Sequence, residues 1–196
     1  MQNLVRKQLA DSIATFQRVL ADEDLIQTVA EAAERTAKVM LAGGKLLIAG
    51  NGGSAADAQH LAAEFVCRLT VDRPALRAVA LTTDSSILTA IGNDYIYDNL
   101  FERQIEALGV PGDIFMGIST SGNSKNIIKG FEQARKMGLI TIGFSGNGGG
   151  RMLPLCDYNV VIPSTVTMNI QECHLALEHI FCMIVERCYF GPDFGR

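Results

Sequence analysis

Five short, continuous apolar runs constrain this chain more than any other feature. They are "KLLIA" (Lys45–Ala49), "RAVAL" (Arg77–Leu81), "DIFMGI" (Asp113–Ile118), "LITIGF" (Leu139–Phe144) and "YNVVI" (Tyr158–Ile162). Between them lie stretches with helical spacing, notably Ala55–Arg68, Asn99–Leu108 and Ser124–Met137. Continuous apolar strands separated by helices imply a parallel sheet covered on both faces. A last helix is expected over Ile170–Tyr189. The predicted fold is therefore α/β: a three-layer, flavodoxin-like sandwich around a roughly five-stranded, doubly wound parallel sheet.

The first forty residues have a different rhythm. Leu9, Ile13, Phe16 and Leu20 step by four, three and four, and Ile26, Val29, Ala33, Ala37 and Met40 continue at helical spacing. Asp22 to Asp24 separates two amphipathic helices, and Gly43–Gly44 supplies a stop. A helical pair over about residues 1–42 thus precedes the sheet. At 196 residues and 48% hydrophobic composition, one domain with a sizeable core accounts for the whole chain.

Charge and cysteine usage exclude several classes. Net charge is −4 and no basic run exceeds a pair, which argues against a broad nucleic-acid surface but permits a small anion held at one spot. No apolar stretch approaches the roughly 20 residues of a membrane span, and the N-terminus lacks a signal-peptide core. A cytoplasmic location is the expectation. The five cysteines (Cys67, Cys156, Cys173, Cys182, Cys188) form no CxxC pair and read as reduced thiols.

In a doubly wound sheet, ligands gather at the carboxyl ends of the strands. Two polar turns lie there: "GNGGS" (Gly50–Ser54) and "GISTSGNS" (Gly117–Ser124), with a third, "SGNGGG" (Ser145–Gly150), after the fourth run. The first lacks the lysine of a Walker motif and does not match GxGxxG, so by composition it is a tight strand-to-helix turn. The second offers hydroxyls and backbone N–H groups at a helix start, suited either to local turn chemistry or to a phosphate.

Asp57, His60, Glu64 and Arg68 recur at spacings of three and four, on one helix face. Most such stripes are solvated ion pairs. However, a His and a Glu four residues apart can also ligate a divalent metal or serve as paired acid and base. The other two histidines, His174 and His179, fall in "NIQECHLALEHIFC" with Gln171, Glu172 and Glu178. Gln171 and His179 stand about 12 Å apart along an ideal helix. They reach one ion only if Gln171 lies at a frayed end or different subunits supply different ligands. Asn93 and Asp94 occupy a Gly-led turn by default; an amide and a carboxylate there suit sugar hydroxyls.

Taken together, "GNGGSAADAQHLAAEF", "LTTDSSILTAIGNDY", "GDIFMGISTSGNSKNI" and "IQECHLALEH" resemble the sugar isomerase (SIS) domain, and specifically the phosphoheptose isomerase family, over nearly the whole chain. The resemblance implies conversion of D-sedoheptulose 7-phosphate to D-glycero-D-manno-heptose 7-phosphate, the first step of activated heptose biosynthesis. It implies substrate contacts from Asn51, Gly52, Gly53, Ser54, Glu64, Asn93, Asp94 and Gln171, and a phosphate held by Ser119, Thr120, Ser121 and Ser124. One zinc per subunit, ligated by His60, Glu64, Gln171 and His179, is implied as well. So are Glu64 and His179 as the proton-transfer pair, and a homotetramer with sites between subunits.

One stretch departs from the family pattern. Met168 and Asn169 stand before "IQE", where the family usually carries a basic residue preceded by a proline or small residue. The alternative is a non-catalytic SIS tetramer that binds a protein such as a replication initiator. Retention of His60, Glu64, Gln171 and His179 together favours the enzyme.

Overall fold

A computed structural model of the chain describes residues 1–194. Five parallel strands, β1 (Leu46–Gly50), β2 (Ala78–Ala80), β3 (Ile114–Ser119), β4 (Ile140–Gly146) and β5 (Tyr158–Ile162), form one sheet in the order β2-β1-β3-β4-β5. Seven α-helices accompany them among the described residues. These are α1 (Gln2–Leu20), α2 (Glu23–Leu41), α3 (Gly53–Val66), α4 (Ser85–Asp94), α5 (Leu100–Leu108), α6 (Lys125–Lys136) and α7 (Thr167–Phe190).

Alternation along each strand divides the core in two. Leu46, Ile48, Ile114 and Met116 face α2, α3 and α7, while Leu47, Ala49 and Phe115 face α5 and α6. Both faces are dry, so the strands read as continuous apolar runs. The strand order reverses between β1 and β3, and the turns that leave these strands open onto the crevice there.

The leading helices divide unequally. On α2, capped by the Asp22 carboxylate accepting from Leu25 N–H at 3.0 Å, Val29, Ala33, Ala37 and Met40 are buried. On α1, Leu9, Ile13, Phe16 and Leu20 remain exposed, Leu20 at 73%. The apolar stripe of α1 thus finds little cover within one chain. Phe16, Val19, Ile26, Val29, Ile180 and Ile184 line an apolar groove of about 310 Å³ beside it.

Three boundaries that bear on the site differ from the sequence expectation: α7 starts at Thr167, so Gln171 lies inside its second turn and not at a frayed end. Helix α3 ends at Val66, leaving Arg68 beyond the stripe that begins at Asp57. The carbonyls of its last turn are taken up by Arg73, which draws the chain away from the helix axis. Asn93 and Asp94 form the last two residues of α4 and not a separate turn. The Asp84 side chain caps the start of that helix by accepting from Ile87 N–H at 2.9 Å, and the helix continues through Gly92 to Asp94. No helix among the described residues is long and apolar enough to cross a membrane.

Candidate active site

The first turn at the crevice is shaped by glycine. Gly50 closes β1 against the backbone of Ser54, where a side chain would collide, and Gly52 takes φ +57 to start α3. Gly53 opens the helix with the Gln171 side chain close over it: a Cβ there would lie 2.5 Å from Gln171 Nε2 and would push that amide aside. Ser54 is buried beneath the turn. The structure thereby places the Gln171 amide beside Gly53, about two turns of α3 before His60.

The second turn, after β3, is held by its own side chains. Ser119 Oγ and Ser124 Oγ lie 2.9 Å apart, and Ser121 Oγ accepts from Asn123 N–H at 3.1 Å. Gly122, at φ +65, lies against the carbonyl of Gly149, where no side chain fits, and its own carbonyl accepts from Met152 N–H. Ser124 precedes α6 yet makes no side-chain cap, being engaged with Ser119 instead. The first N–H groups of α6 are therefore left without a capping oxygen beside the Ser119, Thr120, Ser121 and Ser124 hydroxyls. Such a helix start attracts an anion.

Asn51 and Asn126 lock the two turns together. Each amide donates to the other's oxygen, at 2.9 and 2.8 Å, and Tyr97 Oη also donates to Asn51 Oδ1 at 2.9 Å. This network occupies the Asn51 side chain, and the Gly52 carbonyl accepts from Ala55 and Ala56 N–H. Tyr97 also ties the segment after α4 to the crevice. Asn93 and Asp94 are exposed four and three residues earlier, joined by an Asn93 Nδ2 to Asp94 Oδ1 bond of 2.7 Å. Neither Asn126 nor Tyr97 stands out in the sequence, since nothing local marks an asparagine inside a helix as a strut.

Helices α3 and α7 run side by side in the same direction, and their facing residues form a compact cluster. His60 Nε2 lies 2.7 Å from His179 Nε2 and 3.4 Å from Glu64 Oε1, and one donor atom from each of the three falls within 4.8 Å of the others. His60 is partly open to solvent, while Glu64 is largely covered. Two imidazoles and a carboxylate converging on one point are the donor set of a catalytic zinc site. Two ring nitrogens 2.7 Å apart can share one proton or face one cation.

The third histidine does something else. His174 is fully buried, its ring edge-on to Phe144, and Nε2–H donates to Ser145 O at 3.0 Å. Burial pushes its pKa down to about 4, partly offset by that bond, so the ring is neutral. It belongs to the core.

Beneath the cluster lies a carboxyl pair. Glu178 is fully buried, and neither of its carboxyl oxygens has a hydrogen-bond partner among the described residues. Burial first, and the charge of Asp57 second, push its pKa up to about 8. Asp57 is itself raised, by burial against the opposing pull of His60. Burial thus makes both groups harder to ionise than carboxyls in water.

Asn169, in place of the usual basic residue, is buried and donates from Nδ2 to Ser12 Oγ at 3.0 Å and to Glu172 Oε2 at 3.4 Å, tying α7 to α1. Met168 is exposed. The position has become a helix-to-helix contact.

The chain is similar to known proteins over most of its length. The SIS domain family model matches residues 9–146. Phosphoheptose isomerase 2 of Campylobacter jejuni is 54% identical, over 100% of this chain and 98% of its own length. The phosphoheptose isomerase of Aneurinibacillus thermoaerophilus is 50% identical, over 99% and 98%. The structure of phosphoheptose isomerase from Neisseria gonorrhoeae superposes with a TM-score of 0.89 at 41% identity, covering 94% of this chain and 98% of that one.

Proposed function

Because the chain belongs to the phosphoheptose isomerase family of SIS domains and is thus an isomerase, we propose that it interconverts D-sedoheptulose 7-phosphate and D-glycero-D-manno-heptose 7-phosphate. The observation that carries this reading is the convergence of His60, Glu64 and His179 in a fold whose crevice also holds an uncapped, hydroxyl-lined helix start. One feature suits a proton transfer at carbon, the other a phosphate.

Ser119, Thr120, Ser121 and Ser124 hold the phosphate with the first N–H groups of α6, and no cation is needed inside the turn. That grip does no chemistry; its binding energy positions the distant carbonyl end. Asn51, Gly52, Gly53 and Ser54, with Asn93 and Asp94, orient the sugar hydroxyls. Glu64 removes the proton from C1 of the ketose and returns it to C2, and His179 moves a proton between the two oxygens. The covered setting of Glu64 keeps competing water from the proton it carries.

Zinc, one ion per subunit, fits the donor chemistry of His60, Glu64 and His179; Gln171, which this chain holds beside Gly53 and away from the three, would be the fourth ligand from a neighbouring subunit. When bound it polarises the carbonyl and stabilises the negative charge that develops on oxygen. We also propose a cytoplasmic homotetramer with sites between subunits. Support for assembly comes from the apolar face of α1, which one chain leaves uncovered.

The test is to incubate the purified chain with sedoheptulose 7-phosphate, with and without a chelator, and to follow the aldose by NMR at its anomeric proton. Formation of the heptose 7-phosphate, lost on chelation and restored by zinc, is expected. No aldose product under any metal condition would sink the isomerase assignment for this substrate. Turnover that survives complete metal removal would sink only the zinc part.

A further inference from the structure

Arg73 lies outside every motif that marks the site, in the irregular segment between α3 and β2, yet its side chain is only 1% exposed. Its guanidinium reaches the end of α3. Nη2 donates to Glu64 O at 2.7 Å, while Nη1 donates to Phe65 O at 2.7 Å, to Pro74 O at 3.1 Å and to Cys67 O at 3.4 Å. These include three carbonyls that the end of a helix leaves without intrahelical partners, and a cation there is also favoured by the helix dipole. Nε donates to Glu186 Oε1 at 2.8 Å, and Glu186 on α7 is 3% exposed at its side chain.

The consequence is a closed frame. Helices α3 and α7 meet at one point through His60 and His179, and again through Arg73 and Glu186. Glu186 follows His179 by seven residues, about 10 Å along α7. On the other side, Arg73 binds the carbonyl of Glu64 itself. The carboxylate proposed as the base therefore sits on the backbone unit that the guanidinium fixes against α7.

We propose that Arg73 and Glu186 form a positioning pair, which holds the Glu64 carboxylate in register with His179. This rests on the reading of Glu64 and His179 as the proton-transfer pair. Neither Arg73 nor Glu186 touches substrate. Only a planar fork with several N–H groups can satisfy three helix-end carbonyls and a carboxylate at once; an ammonium can satisfy a subset.

The experiment uses Arg73→Lys and Glu186→Gln in the full chain, with two readouts. The first is the split between kcat and KM for sedoheptulose 7-phosphate. Arg73→Lys is expected to lower kcat at least tenfold with KM within threefold of the parent, since the phosphate is gripped elsewhere. Glu186→Gln, which keeps an acceptor oxygen, is expected to lower it less.

The second readout is the 15N spectrum of the imidazole rings, which is simple because the chain has three histidines. In Arg73→Lys the His60 and His179 signals are expected to shift while that of His174, in the core, stays in place. A loss of stability alone, below the unfolding temperature, moves none of them selectively. Should Arg73→Lys not fold, Glu186→Gln carries both readouts.

Folded variants with parental kcat, or with unmoved His60 and His179 signals, overturn the proposal. If the parent protein itself fails to isomerise the heptose phosphate, the functional reading falls, and the spectrum alone decides whether Arg73 positions the cluster.

Discussion

Asn51 and Asn126 exchange two hydrogen bonds, each amide acting as donor and acceptor to the other, across 75 residues of sequence. This single pair fixes the turn after β1 relative to the start of α6, the two sides of the crevice. Asn126 is 2% exposed, so neither bond is easily replaced by water. Asn126→Ala leaves half of the Asn51 amide unpaired and is expected to cost about 1–3 kcal/mol of stability. Chemical denaturation measures that loss, and a rise in KM should accompany it as the turn loosens. A variant as stable as the parent would show that the pair contributes nothing net.

Glu64→Gln keeps size and hydrogen bonding while removing the proposed base. Turnover is expected to fall by about two to four orders of magnitude, the range of general acid–base catalysis. Binding of sedoheptulose 7-phosphate, followed by calorimetry, should persist because the proposed phosphate grip lies at the other turn. Near-parental turnover would take Glu64 out of the chemistry.

The exposed face of α1 predicts assembly. The parent chain is expected to run as a tetramer in size-exclusion chromatography with light scattering. Ile13→Asp and Phe16→Asp, both at exposed apolar positions, are expected to shift it to smaller species. Activity should fall with the assembly if subunits share their sites. An unchanged mass in both variants would place the interface elsewhere.

His174 predicts a pH dependence of stability. Its folded-state pKa, about 4, lies below the ordinary 6.5, so between these values the unfolded chain binds the proton that the folded chain refuses. Its contribution is fully present above pH 6.5 and is lost as pH falls toward 4. The gap corresponds to roughly 3 kcal/mol. His174→Gln removes this titration, so its melting temperature should decline less than the parent's between pH 6.5 and 4. Parallel declines would mean that the ring titrates normally in the fold.

Much of this architecture is legible in the residues because the sheet is dry on both faces. The run Tyr158–Ile162 coincides with β5, and the other four runs fall within two residues of their strands. Helix ends are less legible, since they depend on remote partners. Arg73 terminates α3 before Arg68, and only the folded chain brings that guanidinium to the carbonyls.

The apolar stripe of α1 reads correctly as a helix. Periodicity says that a face is apolar, however, and not what covers it. The spacing of His60 and Glu64 is visible on one helix, whereas His179 lies 119 residues from His60 and joins them only through packing. Without the family resemblance, His174 is as good a candidate, and only its burial against Phe144 sets it aside.

The side-by-side course of α3 and α7 has a consequence for how such a sequence tolerates change. Gly53 stands by Gln171 and His60 by His179, at intervals of seven and eight residues, with Arg73 joining the far ends. One residue inserted between Gly53 and His60 would rotate everything after it by about 100°. The same holds between Gln171 and His179. The strands would pair as before, since neither helix sets their register. Lineages that carry this chemistry should therefore accept insertions and deletions in the loops while the lengths of these two intervals stay fixed.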